Sequence, residues 1–246
     1  MKPNILLFDI ETRPILGYVW GLYEQDVIAV KEHTSIMCFA YKWVGEKIQV
    51  KGLIDCKNKK SDKELIEDLW ELFDKADIII AQNGDNFDIK KVNTRFAFYK
   101  FSPPSPYKTI DTLKQARKHF GFESNKLDDL GEFLGLGRKV KHEGFEMWIG
   151  CIAGKRKWWD KMKQYNLQDV KLLERVYLRL RPYIKNTPNL SVFLGIVCPK
   201  CGSKDLNSRG FNYTQTGKYR RFYCKKCHGW NQSPYREAGP RVIKSL

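Results

Sequence analysis

Apolar residues fall along this chain in short runs that alternate with stretches of helical spacing. NILLFDI at 4–10 is continuous enough for a strand buried on both faces, while IMCFAYKWV at 36–44 and KIQVKGLI at 47–54 read as a hairpin turning at Gly45. Ser61 stands three residues before Glu64 and ahead of Leu65, Leu69, Leu72 and Phe73, which predicts a capped helix ending near Lys75; ADIII then returns to strand. Asn83 and Gly84 break that strand, and Ile89, Val92 and Phe96 predict a helix from Phe87 to Tyr99. FSPPSPY is a loop, KTIDTL a short strand, and QARKHF and KLDDLGEFLGL are helices separated around Gly121. From Trp158 onward Met162, Tyr165, Asp169, Leu173, Val176 and Leu180 recur every three or four residues, a long helix that Pro182 stops. Strand and helix alternating in this way belong to an α/β domain.

The periodicity lapses over 183–197, where Pro188 and Asn189 fall, so the expected organisation is a domain over 1–182, a linker over 183–197 and a small module over 198–246. With 42% apolar and 13% aromatic residues the larger part can build a core, and no apolar run approaches the roughly 20 residues of a membrane span. The amino-terminal apolar stretch has Asp9 and Glu11 directly behind it and lacks a small-residue cleavage site, which makes it a strand and not a leader. Seven cysteines comprise two CxxC pairs and the isolated Cys38, Cys56 and Cys151, a usage that fits reduced thiols and an intracellular, cytoplasmic or nucleoid-associated protein. The net charge of +16 changes the picture further: residues 183–246 carry +10 of it. Such a basic tail calls for a polyanion, and releasing counterions from phosphates drives sequence-independent binding.

Acids supply the chemistry. Asp9 and Glu11 are two apart on an expected strand, so their carboxylates project from one face and can share a cation. Asp88 falls near a helix start, a position acids also favour for the helix dipole. Tyr165 and Asp169, at i and i+4, share one face of the long helix, a face otherwise apolar, where an inward carboxylate needs a partner. Asp111, Asp128 and Asp129 read as helix caps and solvated positions.

FDIET at 8–12, NGDNFD at 83–88 and YNLQD at 165–169 resemble, in that order, the three motifs of the DnaQ-like 3′ to 5′ exonucleases, in the DEDDy branch whose third motif is Tyr-x-x-x-Asp. The second motif is similar to that of proofreading domains of family B polymerases. The resemblance implies an RNase H-like α/β fold, a five-stranded mixed sheet flanked by helices. It also implies two Mg²⁺ or Mn²⁺ ions, with Asp9, Glu11 and Asp169 holding one, Asp9 and Asp88 engaging the second, and Tyr165 orienting the attacking water. The expected activity is hydrolysis of DNA, single-stranded or frayed at its 3′ end, to 5′-mononucleotides. With 246 residues there is no room for the palm and fingers of a polymerase, so a stand-alone nuclease without proofreading in cis is the expectation, and service to a separate replication or repair partner stays open. A structure-selective endonuclease or an RNA exonuclease could use the same acids, and an inactive adaptor could retain the fold; DNA is the preferred partner over RNA.

Cys198-Pro-Lys-Cys201 and Cys224-Lys-Lys-Cys227 are two knuckles with the spacing of a four-thiolate zinc ribbon, a module that one structural Zn²⁺ holds together. Around them Tyr219, Arg220, Arg221, Lys225, Lys226 and Trp230 interleave cations with rings, the combination that follows phosphates and stacks on unpaired bases, whereas a protein-docking ribbon would use those rings as its core. His228, beside Cys227, reads as a bystander. GKRKWWDKMK at 154–163 sets cations beside Trp158 and Trp159 and could guide substrate, although paired tryptophans at a helix start more often pack.

Overall fold

The structure, a computed structural model, describes residues 2–23, 26–141, 143–185 and 187–239. The chain divides into two compact units, one from Asn4 to Val176 and one built mainly from Tyr177 onward.

The first unit opens with β1 (Ile5–Thr12), a small hairpin of β2 (Leu16–Tyr18) and β3 (Ala29–Glu32), then β4 (Ile36–Trp43) and β5 (Gln49–Gly52). It continues through α1 (Lys63–Lys75), β6 (Ile78–Ala81), α2 (Asp88–Phe98), β7 (Lys108–Asp111), α3 (Thr112–His119), α4 (Leu127–Phe133), α5 (Phe145–Ile152) and α6 (Arg156–Leu180), the last of which runs past the division between the units. Five strands pair in the order β5-β4-β1-β6-β7, antiparallel on the β4 side of β1 and parallel on the β6 side. The mixed five-stranded sheet expected from the sequence is present.

The period of two along β1 sends alternate side chains to opposite faces of the sheet. Leu6, Phe8 and Ile10 pack with Leu65, Ile66, Leu69 and Phe73 of α1 and with Ile89, Val92 and Phe96 of α2. Phe73 is the hub, meeting Phe8 edge-on at 5.1 Å and Phe96 at 5.8 Å between ring centroids. On β4, Met37 and Cys38 join Met147 and Cys151 of α5 and Trp159, Met162 and Tyr165 of α6 in a second cluster. Helices therefore cover both faces, and the alternation that sends Leu6, Phe8 and Ile10 towards α1 leaves Asp9 and Glu11 on the opposite side of the strand.

The expected capping box at Ser61 and Glu64 does not form. Asp62 precedes α1 without a side-chain capping bond, and Glu64 instead accepts from Lys57 N at 3.1 Å and pairs with Lys51 at 2.9 Å. Asp62 has been drawn inward: 2% exposed, it accepts from Ile36 N at 2.9 Å, Arg95 Nε at 2.8 Å and Tyr99 OH at 2.7 Å. This pair ties α1 to β4 and α2. The β2–β3 hairpin and α5 are additions to the elements expected from the sequence. Ile15, Leu16, Val19, Trp20 and Leu22 lie exposed around the hairpin, so no inward and outward alternation marks it.

In the second unit, α7 (Ser191–Leu194) is followed by β8 (Leu206–Tyr213), β9 (Lys218–Cys224) and β10 (Trp230–Arg236), an antiparallel sheet in the order β10-β9-β8. The division between units falls at Tyr177, inside α6, rather than after residue 182. Residues 183–197, expected as a linker, contain α7 and bury Ile184, Leu190 and Val197. Residues 240–246 of the expected 198–246 module lie outside the described residues.

Replacing Asp62 with alanine leaves the Arg95 guanidinium without its carboxylate where that side chain is only 12% exposed. Loss of one partner of a buried pair costs about 3–5 kcal/mol. Urea denaturation of Asp62→Ala should show a midpoint lowered accordingly with an unchanged slope; a midpoint equal to that of the parent would contradict the role assigned to the pair.

Candidate functional site

The sheet opens where β1 outruns β6. Their pairing ends at Leu7 opposite Ile80, and beyond it the chain leaves Ala81 through a turn into α2. Gly84 is required in that turn because a Cβ there would stand 2.4 Å from the Ala81 Cβ. Asn83 takes a left-handed φ of 59°, and Asp111, capping α3, accepts from Asn83 N at 2.9 Å and from Leu113 N at 3.0 Å. The turn delivers Asp88, 3% exposed, to the vacated edge of β1, where its Oδ1 accepts from Ile10 N at 3.2 Å. Asp88 thus satisfies the backbone donor between Asp9 and Glu11.

From the other face α6 brings Tyr165 and Asp169. One carboxylate oxygen from each of Asp9, Glu11 and Asp169 falls within 4.8 Å of the other two. Asp88 lies against the same strand but is not a member of that triplet. The described residues therefore bring all four acids to one end of β1, with three of them close enough to share an ion.

Crowding and burial work against ionisation. Burial first, then the charges of Asp88, Glu11 and Asp169, hold Asp9 well above the usual carboxylate range. Burial, followed by the charge of Asp169, raises Glu11 to about 8. Burial raises Asp88 to about 7 against the hydrogen bond from Ile10 N, and it also raises Asp169. Asp169 Oδ1 is buried with no hydrogen-bond partner among the described residues, a state that a cation would relieve. An all-oxygen, anionic donor set with an orphaned buried oxygen fits a hard divalent ion.

Two further residues, missed in the sequence, complete the cluster. Asn166, fully buried, donates from Nδ2 to Asp9 Oδ2 at 2.6 Å and to Asp9 O at 3.3 Å, and its Oδ1 faces Cys38 Sγ at 3.5 Å. It fixes the direction of the Asp9 carboxylate. Lys139 places Nζ 2.6 Å from Asp169 Oδ2 and 3.1 Å from the Tyr165 hydroxyl. Burial alone would lower its pKa, but Asp169 and Tyr165 together raise it. Burial and Asp169 raise Tyr165 to about 12, so its hydroxyl keeps its proton at neutral pH. Asn166 carries a signal in its place three residues before Asp169 on one helical face; Lys139 stands in a basic run that carries none.

A cleft of about 530 Å³ opens beside Asp9, lined among others by Asn83, Arg117, Asn125, Lys126 and Lys139. Trp159 lies 3% exposed in the core and Trp158 stacks over Gly150, where a Cβ would meet its ring at 2.0 Å, so both tryptophans of GKRKWWDKMK pack.

In the second unit Cys198, Cys201, Cys224 and Cys227 hold their sulfurs within 4.8 Å of one another as free thiols. Cys198 and Cys227 are 3.7 Å apart and Cys201 and Cys224 3.6 Å, close to the edge of about 3.8 Å that a tetrahedron with 2.3 Å zinc–sulfur bonds would have. The two knuckles close alike: Gly202 N donates to Cys198 O at 2.8 Å and His228 N to Cys224 O at 2.9 Å, both with φ between 60° and 71°. His228 occupies the turn position and bonds through Nδ1 to the Tyr223 hydroxyl at 2.6 Å, outside the thiol cluster. Of the residues expected to touch nucleic acid, Lys226 is exposed, Tyr219 half-buried, and Arg220 and Lys225 pair with Glu237 and Asp205 at 2.9 and 3.6 Å. The Arg221 guanidinium lies 4.9 Å over the Trp230 ring, itself 46% exposed.

Residues 6–181 match the family model described as the RNase_H superfamily. No curated protein matches the chain. Among solved structures, the family B DNA polymerase from the hyperthermophilic archaeon Pyrobaculum calidifontis is similar over 87% of this chain at 13% identity and a TM-score of 0.51. This chain spans 31% of that polymerase chain, and at such identity the likeness is one of fold. No described helix is long and apolar enough to cross a membrane.

Because the carboxyls of Glu11 and Asp88 are raised to about 8 and 7 in the folded chain, the folded state binds more protons than the unfolded one between about pH 4 and 8. Their contribution is complete below the ordinary carboxylate range and is lost as pH rises through 7 to 8. Thermal unfolding in buffer free of magnesium and manganese should show a midpoint that falls across this range, and Glu11→Gln with Asp88→Asn should flatten it. A midpoint rising over the same interval would contradict the crowding.

Proposed function

Since the chain belongs to the RNase H superfamily, we propose that it is a metal-dependent 3′ to 5′ exonuclease that releases 5′-mononucleotides from single-stranded or frayed DNA ends, with a zinc ribbon that aids binding. The observation that carries this reading is the convergence of Asp9, Glu11 and Asp169, together with an Asp169 Oδ1 that is buried without a hydrogen-bond partner among the described residues. In it, Asp9, Glu11 and Asp169 hold one Mg²⁺ or Mn²⁺, and Asp9 and Asp88 engage a second. Bound there, the ions supply positive charge for the attacking and leaving oxygens of an in-line displacement at phosphorus.

The chain's own residues do the rest. Asn166 keeps one Asp9 oxygen occupied and thereby fixes the direction of the other. Tyr165, protonated at neutral pH, is no general base; its hydroxyl orients the attacking water by hydrogen bonding. Arg117 and Lys126 of the adjoining cleft meet phosphates, and Asn83 and Asn125 offer amides to the terminal nucleotide. In the second unit, Cys198, Cys201, Cys224 and Cys227 take a structural Zn²⁺, and Tyr219, Arg220, Arg221, Lys225, Lys226 and Trp230 contact the strand.

A strand labelled at its 5′ end should shorten one nucleotide at a time in the presence of Mg²⁺ or Mn²⁺. First cuts in the interior would make the protein an endonuclease, and preference for RNA over DNA would change the substrate. Asp9→Ala should reduce hydrolysis by more than the ~10–100-fold that follows loss of an outer hydrogen-bond partner, with DNA affinity retained; equal activity would favour a binding adaptor.

Cys224→Ser should release zinc and raise KM while leaving kcat within about threefold, the signature of lost binding rather than lost chemistry. Unchanged affinity for DNA would remove the ribbon from the interface.

A further inference from the structure

The loop after α4 is built to hold one lysine against the acids. Gly137 turns it with a φ of 106°, Lys139 N donates to Asp128 Oδ1 at 2.6 Å, and Gln168 of α6 donates to Arg138 O at 3.2 Å. Arg138 pairs with Asp128 at 3.5 Å and with Glu132 at 2.9 Å, so the loop is tied to both α4 and α6. From this anchored backbone the Lys139 side chain, 29% exposed, reaches Asp169 Oδ2 at 2.6 Å, while the same residue lines the cleft that holds Asn83, Arg117 and Lys126. Its ammonium thus stands at the boundary between the carboxylate triplet and the place where a phosphate would enter.

A monovalent cation on Asp169 and a divalent ion on the Asp9, Glu11 and Asp169 triplet repel each other and compete for the same carboxylate. An incoming phosphate offers that ammonium a second anion on the cleft side. Resting on the reading of the triplet as a metal site, we propose that Lys139 is a built-in counter-cation that occupies Asp169 when the divalent ion is absent and transfers to a phosphate of the nucleic acid. Metal and nucleic acid thereby bind cooperatively, and by linkage each strengthens the other by the same factor. Release of Lys139 also gives the phosphate a direct cationic contact. The consequence is a site that loads its ion weakly until a strand arrives.

The test is Mn²⁺ binding, followed by calorimetry on the full, zinc-replete chain with thymidine 5′-monophosphate present or absent. Lys139→Met should bind Mn²⁺ more tightly than the parent without nucleotide, by about fivefold or more, the lower end of ordinary coupling between sites. In the same variant the tightening that the nucleotide brings should shrink by that factor. Lys139→Arg, which keeps the charge, should behave as the parent and guards against a fault in folding. Equal or weaker Mn²⁺ binding by Lys139→Met, with Asp9→Ala binding none at the triplet, would overturn the role of Lys139 alone. Undiminished Mn²⁺ binding by Asp9→Ala would instead overturn the metal site on which the role rests.

Discussion

Like charges gathered out of water are the constraint around which this chain is organised. Asp9 and Glu11 must share a face of β1 because side chains alternate along a strand, and the hydrophobic surface of α6 sets Asp169 opposite them. The end of β6 at Ala81 then leaves an open strand edge that Asp88 fills. None of these placements favours stability at neutral pH by itself, since burial raises all four carboxyls and the neighbouring site acids raise Asp9 and Glu11 further. The two apolar cores, one centred on Phe73 and one on Met162 and Trp159, hold the acids in place against that repulsion. Strain of this kind in an otherwise well-packed fold marks a site where another charge is expected.

The partners of the acids respond to the same field. Asn166 restrains Asp9 through an uncharged amide, Lys139 lends Asp169 a positive charge, and Tyr165 keeps its proton. Each answers the crowding differently: one by direction, one by charge and one by hydrogen bonding. The cations of the neighbouring cleft extend this local balance outward to a region where phosphates could be received.

Much of the body was legible because its signals are periodic. The buried run of β1, the spacing of Leu65, Leu69, Leu72 and Phe73, and the repeat of α6 correspond to the elements observed, and the order of FDIET, NGDNFD and YNLQD matched the topology that gathers them. Signals without a period were missed. The β2–β3 hairpin exposes apolar residues on an arm with no buried side, the cap expected at Ser61 gives way to a buried ion pair of Asp62 with Arg95, and Lys139 gains its meaning only from a loop folded across α6. In the second unit the cysteine spacing revealed the sulfur cluster, whereas the ion pairs of Arg220 and Lys225 depend on strand register and were invisible beforehand.

The central claim, that the folded body assembles a site for hard cations, is tested most directly by anomalous diffraction from a manganese-soaked crystal. The account predicts a strong peak bounded by oxygens of Asp9, Glu11 and Asp169, with a second beside Asp88 when a nucleotide is bound. Carboxylates turned away from one another, with no anomalous density between them, would contradict it.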